Sequence, residues 1–179
     1  MNTNNEKIPD KTSEAFTALY EQFMPKVYRY ISFRIRDENV VQDLTSAVFE
    51  KALTKFSSFN PQKASFSTWI FTIAHNTVID HYRVYKKNEY IEQDSVVNNS
   101  VQYPSPDDEA IKTENTLKLR FFLSRLNKRE QEVIILKYSN GMSNREIAEV
   151  MNLTETNVGS ILCRTIRKLR NSFLEWQNE

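Results

Sequence analysis

Glycine is nearly missing from this chain, with two residues in 179. Phosphate-cradling loops, dinucleotide fingerprints and hairpin-rich β architectures all spend glycine on turns and close backbone approach, so the shortage argues against all three. The single cysteine, Cys163, rules out an internal disulfide and a cysteine-built zinc cage. No apolar run approaches the roughly 18 residues of a membrane span. The polar start, Met1 to Ser13, lacks a signal-peptide core. A cytoplasmic protein without membrane insertion is the expectation. Net charge is small too, at +1, but it is unevenly spread.

Residues 1–25 carry 2 basic and 4 acidic side chains, and residues 26–90 carry 10 and 6. Residues 91–116 carry 1 and 6, and residues 117–179 carry 11 and 7. Two basic blocks therefore flank an acidic spacer, a distribution that points towards nucleic acid. The spacer is polar, holds Pro104 and Pro106, and shows no sustained apolar period, which is the composition of a linker. Of the 21 aromatic residues, 15 lie between Phe16 and Tyr90, so the two blocks have differently built cores.

Apolar periodicity then predicts an all-α fold. It consists of two small helical domains, 14–90 and 117–175, joined by a flexible acidic linker at 91–116. In the first block Phe16, Leu19, Phe23, Val27, Ile31 and Ile35 form one helical stripe, with a kink or a helix junction expected at Pro25. Val41, Leu44, Val48, Ala52 and Phe56 form a second stripe, and a third helix begins near Phe66. In the second block Leu117–Leu126 is helical. Asn127-Lys128-Arg129-Glu130 reads as a capping box opening a helix to Tyr138, and Asn140-Gly141 ends it. Ser143-Asn144-Arg145-Glu146 is a second capping box, opening a helix to Met151. Asn152-Leu153-Thr154 is a tight turn, and Thr154 caps a long helix to about Phe173.

A short capped helix, a three-residue turn and a longer basic helix make a helix-turn-helix, here at the C-terminal end. Ile147, Ala148 and Met151 are placed to pack on Val158, Leu162, Thr165 and Leu169. Thr156, Ser160, Cys163, Arg164 and Arg167 then point outward, a row of small polar residues followed by arginines that suits a major groove. The competing reading is a plain helical hairpin with a solvated face. On the third helix Thr72, Asn76, Arg83 and Lys87 share a face, interleaved with Trp69, Tyr82 and Tyr85, a pattern suited to single-stranded nucleic acid. Its rival is equally simple: the aromatics are core. Catalysis finds no support. His75 and His81 fall about 120° apart around a helix, Cys163 has no nearby histidine, and the carboxylates are scattered. Neither an enzyme, nor a cofactor, nor a metal site is expected.

LYEQFMPKVYRY, VVQDLTSAVFEKALTKF, FSTWIFTIAHNTVIDHYR and the run from Leu126 to Arg170 occur in an order and spacing that resemble the extracytoplasmic-function (ECF) group of bacterial sigma-70 factors. The resemblance implies an alternative-sigma initiation factor that binds core RNA polymerase, directs it to promoters and assists melting. It implies core-polymerase contacts at Asp43, Leu44, Val48 and Phe49. It implies capture of the unstacked −10 element by Phe66, Trp69, Thr72, Asn76 and Arg83, around the loop Phe59–Ser67. Duplex −35 reading falls to Arg145, Thr156, Asn157, Ser160, Arg164 and Arg167, and an anti-sigma factor is the implied inhibitor. Asp80 is either part of the −10 site or a structural partner of Arg83. The chain departs from the family pattern at Ser46-Ala47, Asn127, Asn152, Gly159 and Cys163. The alternatives are a dimeric helix-turn-helix regulator of duplex DNA and a helical adaptor.

Overall fold

The computed structural model describes residues 11–35, 37–89 and 121–177, and the expected linker at 91–116 lies outside them. The N-terminal unit is three helices: α1 (Lys11–Ser32), α2 (Glu38–Lys55) and α3 (Phe66–Glu89). No helix junction forms at Pro25. Pro25 lies inside a single helix on its exposed side, where the loss of one backbone donor does not end it. Asp37 caps α2 by accepting from the backbone N–H groups of Asn39 and Val40 at 2.9 and 3.3 Å. Val27 and Ile31 of α1, Val48 and Ala52 of α2, and Ile70, Ala74 and Val78 of α3 are fully buried between the three helices.

The C-terminal unit opens, among the described residues, with a helical turn at 121–124. It continues through α4 (Lys128–Ile134), α5 (Asn144–Met151) and α6 (Glu155–Gln177). Both expected capping boxes form: Asn127 with Glu130, and Ser143 with Glu146. The helix expected to reach Tyr138 does continue past Ile134, but as a π-helical turn at Ile135–Ser139. Asn140 N–H closes that turn on the Ile135 carbonyl at 3.2 Å, and Gly141, at φ 69°, turns the chain away. Val133, Ile134, Ile135 and Leu136 are all buried because this segment is covered from two sides, by α6 and by α1. That double burial explains why an unbroken apolar run of strand-like composition is helical.

The two units pack on each other. α3 lies against α5, and α1 touches the π-helical turn, so one apolar core runs through both.

Candidate nucleic-acid interface

The helix-turn-helix is built by local chemistry. Ser143 accepts from Glu146 N–H at 3.2 Å while the Glu146 carboxylate accepts from Ser143 N–H at 2.9 Å, which fixes the start of α5. Asn152 ends that helix in the left-handed conformation, at φ 53° and ψ 52°, a position an asparagine side chain tolerates. Leu153 N–H returns to the Ala148 carbonyl at 2.8 Å, and Thr154 Oγ1 accepts from Asn157 N–H at 3.2 Å. The inward set is as the periodicity requires. Ile147, Ala148, Val158, Leu162 and Thr165 are buried, and Leu169 and Met151 are partly so.

The outward row of α6 follows. Thr156, Ser160, Cys163, Arg164 and Arg167 are exposed, and Asn157 is half-buried at the seam with α4. Arg164 Nε donates to the Ser160 carbonyl at 3.3 Å, which lays the guanidinium along the helix surface. Asn157, Ile161 and Arg164 share a surface pocket with Asn127, Arg129 and Glu130 of α4. Lys168 is paired with Glu130 at 2.5 Å, and Arg145 with Glu149 at 3.4 Å, so both have their charge offset locally. On α6, Arg164, Arg167 and Arg170 are exposed and make no ion pair among the described residues.

The second candidate face lies on α3. Phe56, Phe59, Phe66 and Trp69 form a ring cluster with centroid separations from 5.1 to 6.5 Å. Phe66 is buried and Trp69 half-buried, so these two rings make the floor beneath the loop Phe59–Ser67 and are not free stacking platforms. Thr72 Oγ1 donates to the Thr68 carbonyl at 2.7 Å. Asn76 is exposed, and its amide has no hydrogen-bond partner among the described residues. Arg83 pairs with Asp80 at 3.3 Å on the same exposed side, the i,i+3 contact open from the sequence. Side chains at Lys86 and Lys87 lie outside the described set.

On α2, Asp43 is exposed and Leu44 half-buried, whereas Val48 is fully buried and Phe49 nearly so. The implied core-polymerase set thus divides. Asp43 and Leu44 are available at the surface; Val48 and Phe49 hold α2 against its neighbours, with Phe49 edge-on to Tyr20 at 4.8 Å. Among the described residues, no group of three or more His, Cys, Asp or Glu is placed to hold a metal. No described helix is long and apolar enough to cross a membrane.

Sequence reasoning missed two carboxylates of the C-terminal unit. Glu132, with its side chain 4% exposed, accepts from Arg34 Nη1 at 2.5 Å and from the Tyr30 hydroxyl, and bonds His75 Nδ1 at 2.7 Å. Burial opposes ionisation there, but the His75 hydrogen bond and the Arg34 charge outweigh it and hold the carboxyl below its usual range. Burial, reinforced by the Glu132 charge, pushes the Tyr30 phenol well above its ordinary value. Glu146 accepts from Ser65 Oγ at 3.0 Å and Thr68 Oγ1 at 3.3 Å, at the start of α3. The available signal was a carboxylate beside the apolar run Val133–Leu136, and a histidine between Phe71 and Val78.

Two helical units, one a helix-turn-helix and the other presenting an exposed polar face on α3, make a bipartite build suited to nucleic acid. Residues 19–88 match sigma-70 region 2, and residues 116–169 match sigma-70, region 4. The chain belongs to the sigma-70 family of RNA polymerase sigma factors, in its ECF group. It is similar to the ECF RNA polymerase sigma factor BldN of Streptomyces coelicolor, with 31% identity over 157 residues, 88% of this chain and 60% of the relative. The ECF RNA polymerase sigma factor SigM of Bacillus subtilis is 29% identical over 155 residues, 85% of this chain and 91% of its own length. Two solved structures share the fold. CnrH, in complex with the cytosolic domain of CnrY, gives a TM-score of 0.63 at 24% identity, over 90% of this chain and 88% of that one. RpoE of Bartonella quintana, in complex with the anti-sigma factor NepR, gives 0.66 at 20% identity, over 88% and 96%.

Proposed function

We propose that this chain is an alternative-sigma initiation factor: it binds core RNA polymerase, directs it to promoters through −10 and −35 elements, and assists melting. The observation that carries this reading is the pairing of two different nucleic-acid faces in one chain. The exposed row Thr156, Ser160, Arg164 and Arg167 suits a duplex groove, because small side chains allow close approach and arginines reach base edges or phosphates. Asn76, exposed on α3 with a free donor and acceptor, suits the edge of an unstacked base. Arg145 and Asn157 border the −35 row, and Thr72 and Arg83 border the −10 face; Phe66 and Trp69 support it from beneath.

Asp43 and Leu44 carry the polymerase contact on α2, with Val48 and Phe49 holding that helix in place. The factor works in the cytoplasm and regulates initiation without a catalytic step of its own. An anti-sigma factor is its expected inhibitor, by analogy with the RpoE–NepR complex. The test is to mix the purified chain with core polymerase and isolate the complex by size exclusion. Co-elution is expected, with loss of binding for Asp43→Arg. A chain that ignores core polymerase yet footprints duplex DNA as a dimer would overturn the reading.

A further inference from the structure

Nothing inside the fold requires the glycine at position 159 of the reading helix. Gly159 lies within α6 on ordinary helical backbone, since only Gly141 takes a positive φ among the glycines. Glycine is the poorest helix former after proline. A β-carbon at 159 would meet one atom within 4 Å, Asn144 Nδ2 at 3.8 Å, which is ordinary contact distance. Neither backbone conformation nor close packing of α5 on α6 therefore calls for glycine here. The space it leaves opens outward instead. Gly159 is half-buried and sits about 60° around α6 from Thr156 and about 40° from Cys163, both exposed in the outward row. The missing side chain makes a notch in the edge of that row.

Asn144, the first residue of α5, walls the notch. Its side chain is half-buried, and its Oδ1 is enclosed with no hydrogen-bond partner among the described residues. Its Nδ2 is the atom turned towards Gly159. The notch therefore sets one hydrogen-bond donor beside a bare Cα, with room for a methyl group because a β-carbon would fit there. Thymine alone matches that pattern in the major groove, where it presents the O4 acceptor next to its C5-methyl group. Cytosine would set its own N4 donor against Nδ2. Guanine offers acceptors but no methyl group, and adenine places an N6 donor beside N7.

We propose that Gly159 and Asn144 are specificity-determining residues of the −35 reader. Together they take the major-groove edge of one thymine, its C5-methyl group against the bare Cα of Gly159 and its O4 accepting from Asn144 Nδ2. This rests on the promoter-binding reading above, and it adds a base contact from α5 to the row carried by α6. The glycine that weakens the helix is thereby the residue that admits the base.

Holoenzyme assembled from core polymerase and the full chain provides the test, on duplex promoters randomised across the −35 element. The parent is expected to show a position where thymine exceeds the other bases by about tenfold. Gly159→Ala fills the notch and should erase that preference while the rest of the block is kept. Its melting temperature should not fall, because alanine is the better helix former. Asn144→Ala removes no internal hydrogen bond, so it should fold as the parent does and retain only the few-fold preference due to the methyl group. A change of a few atoms in the DNA isolates that group. Replacing the selected thymine by uracil should weaken parental binding about fourfold, whereas Gly159→Ala should bind the uracil duplex at least as well as the thymine one.

A thymine preference unchanged in Gly159→Ala, or a parent indifferent to uracil, would overturn the notch. Weakening of all sequences alike in Asn144→Ala would overturn its base contact, as would a Gly159-dependent preference for cytosine. Should Asn144→Ala unfold, Gly159→Ala and the uracil duplex decide the matter. Failure of the promoter reading is separate. An enriched −35 block without a thymine position overturns the notch alone, whereas a parent that enriches no −35 block overturns the reading beneath it.

Discussion

The two proposed nucleic-acid faces are built on opposite plans. In the C-terminal unit the core residues and the reading residues are disjoint sets on α6: Val158, Leu162 and Thr165 are buried while Thr156, Ser160, Arg164 and Arg167 are exposed. In the N-terminal unit the two roles share residues. Phe66 and Trp69, nominally part of the −10 site, are tied into a ring cluster with Phe56 and Phe59, and Thr72 is committed to the helix backbone. A duplex reader presents side chains to a groove that is already formed. A pocket for an unstacked base has to supply its own apolar floor, and Phe66 and Trp69 also belong to the core. The lesson is that substitutions separate stability from recognition cleanly in one unit and poorly in the other.

The largest effect is expected where the two units meet. Glu132→Ala removes the shared acceptor of Arg34, Tyr30 and His75, and loss of one partner from a buried charge pair costs about 3–5 kcal/mol. A thermal melt measures this against Glu130→Ala, whose contact with Lys168 is far more exposed. The pH dependence has a definite sign. Glu132 is held below the usual carboxylate value of 4.5, so its contribution is complete above that value and is lost as pH falls through the lowered one. Urea midpoints between pH 7 and pH 3 should drop in the parent and stay flatter in Glu132→Gln.

Next in size is the contrast between Phe66 and Asn76. Phe66→Ala should cost about 3–5 kcal/mol through the ring cluster, and its promoter defect should scale with that loss. Asn76→Ala should leave the melting temperature unchanged and slow promoter opening, because its amide is exposed and unpartnered among the described residues. Opening kinetics beside thermal melts separate the two; equal stability losses would erase the distinction.

Within the −35 reader the effects are smaller and differ in kind. Arg164→Ala should relax preference at one or two base positions, by about 1–3 kcal/mol of discrimination. Arg167, a turn further from the helix start, should hold phosphate; its alanine variant weakens all sequences alike and lowers the salt slope by about 1. A randomised −35 library read at two salt concentrations resolves them. The smallest effect belongs to Gly159. A β-carbon there meets only Asn144 Nδ2 at 3.8 Å, an ordinary contact, so Gly159→Ala should stabilise α6 by about 1 kcal/mol.

How much of this was legible beforehand follows the same division. The helix-turn-helix could be read residue by residue, because its signals are local: two capping boxes, a left-handed Asn152 and a 3.6-residue period. The three N-terminal helices were equally plain. Pro25 does not divide α1 in two, because a proline on an exposed face inside a long packed helix is tolerated, and the π-helical turn was hidden because its i→i+5 bonding depends on how Val133–Leu136 are enclosed. The seam between the units was not legible. Arg34 and Glu132 lie 98 residues apart and His75 and Glu132 lie 57 apart, and no local pattern specifies which buried charge will meet which. The surface of α3 was only half legible: the helical period that turns Phe66 and Ile70 to the core leaves Asn76 outside, but it does not say what that outer side touches.

The most direct test is transcription by core polymerase and this chain from a library of duplexes randomised over the 50 base pairs or so upstream of a fixed start, a window of about five helical turns. Sequencing the transcribed templates should return two separate enriched blocks, near −10 and −35. The distal block should relax in Arg164→Ala, and in Asn76→Ala overall output should fall and the proximal block should relax at one position while the distal one is kept. A single enriched block, or none above that of core polymerase alone, would contradict the account.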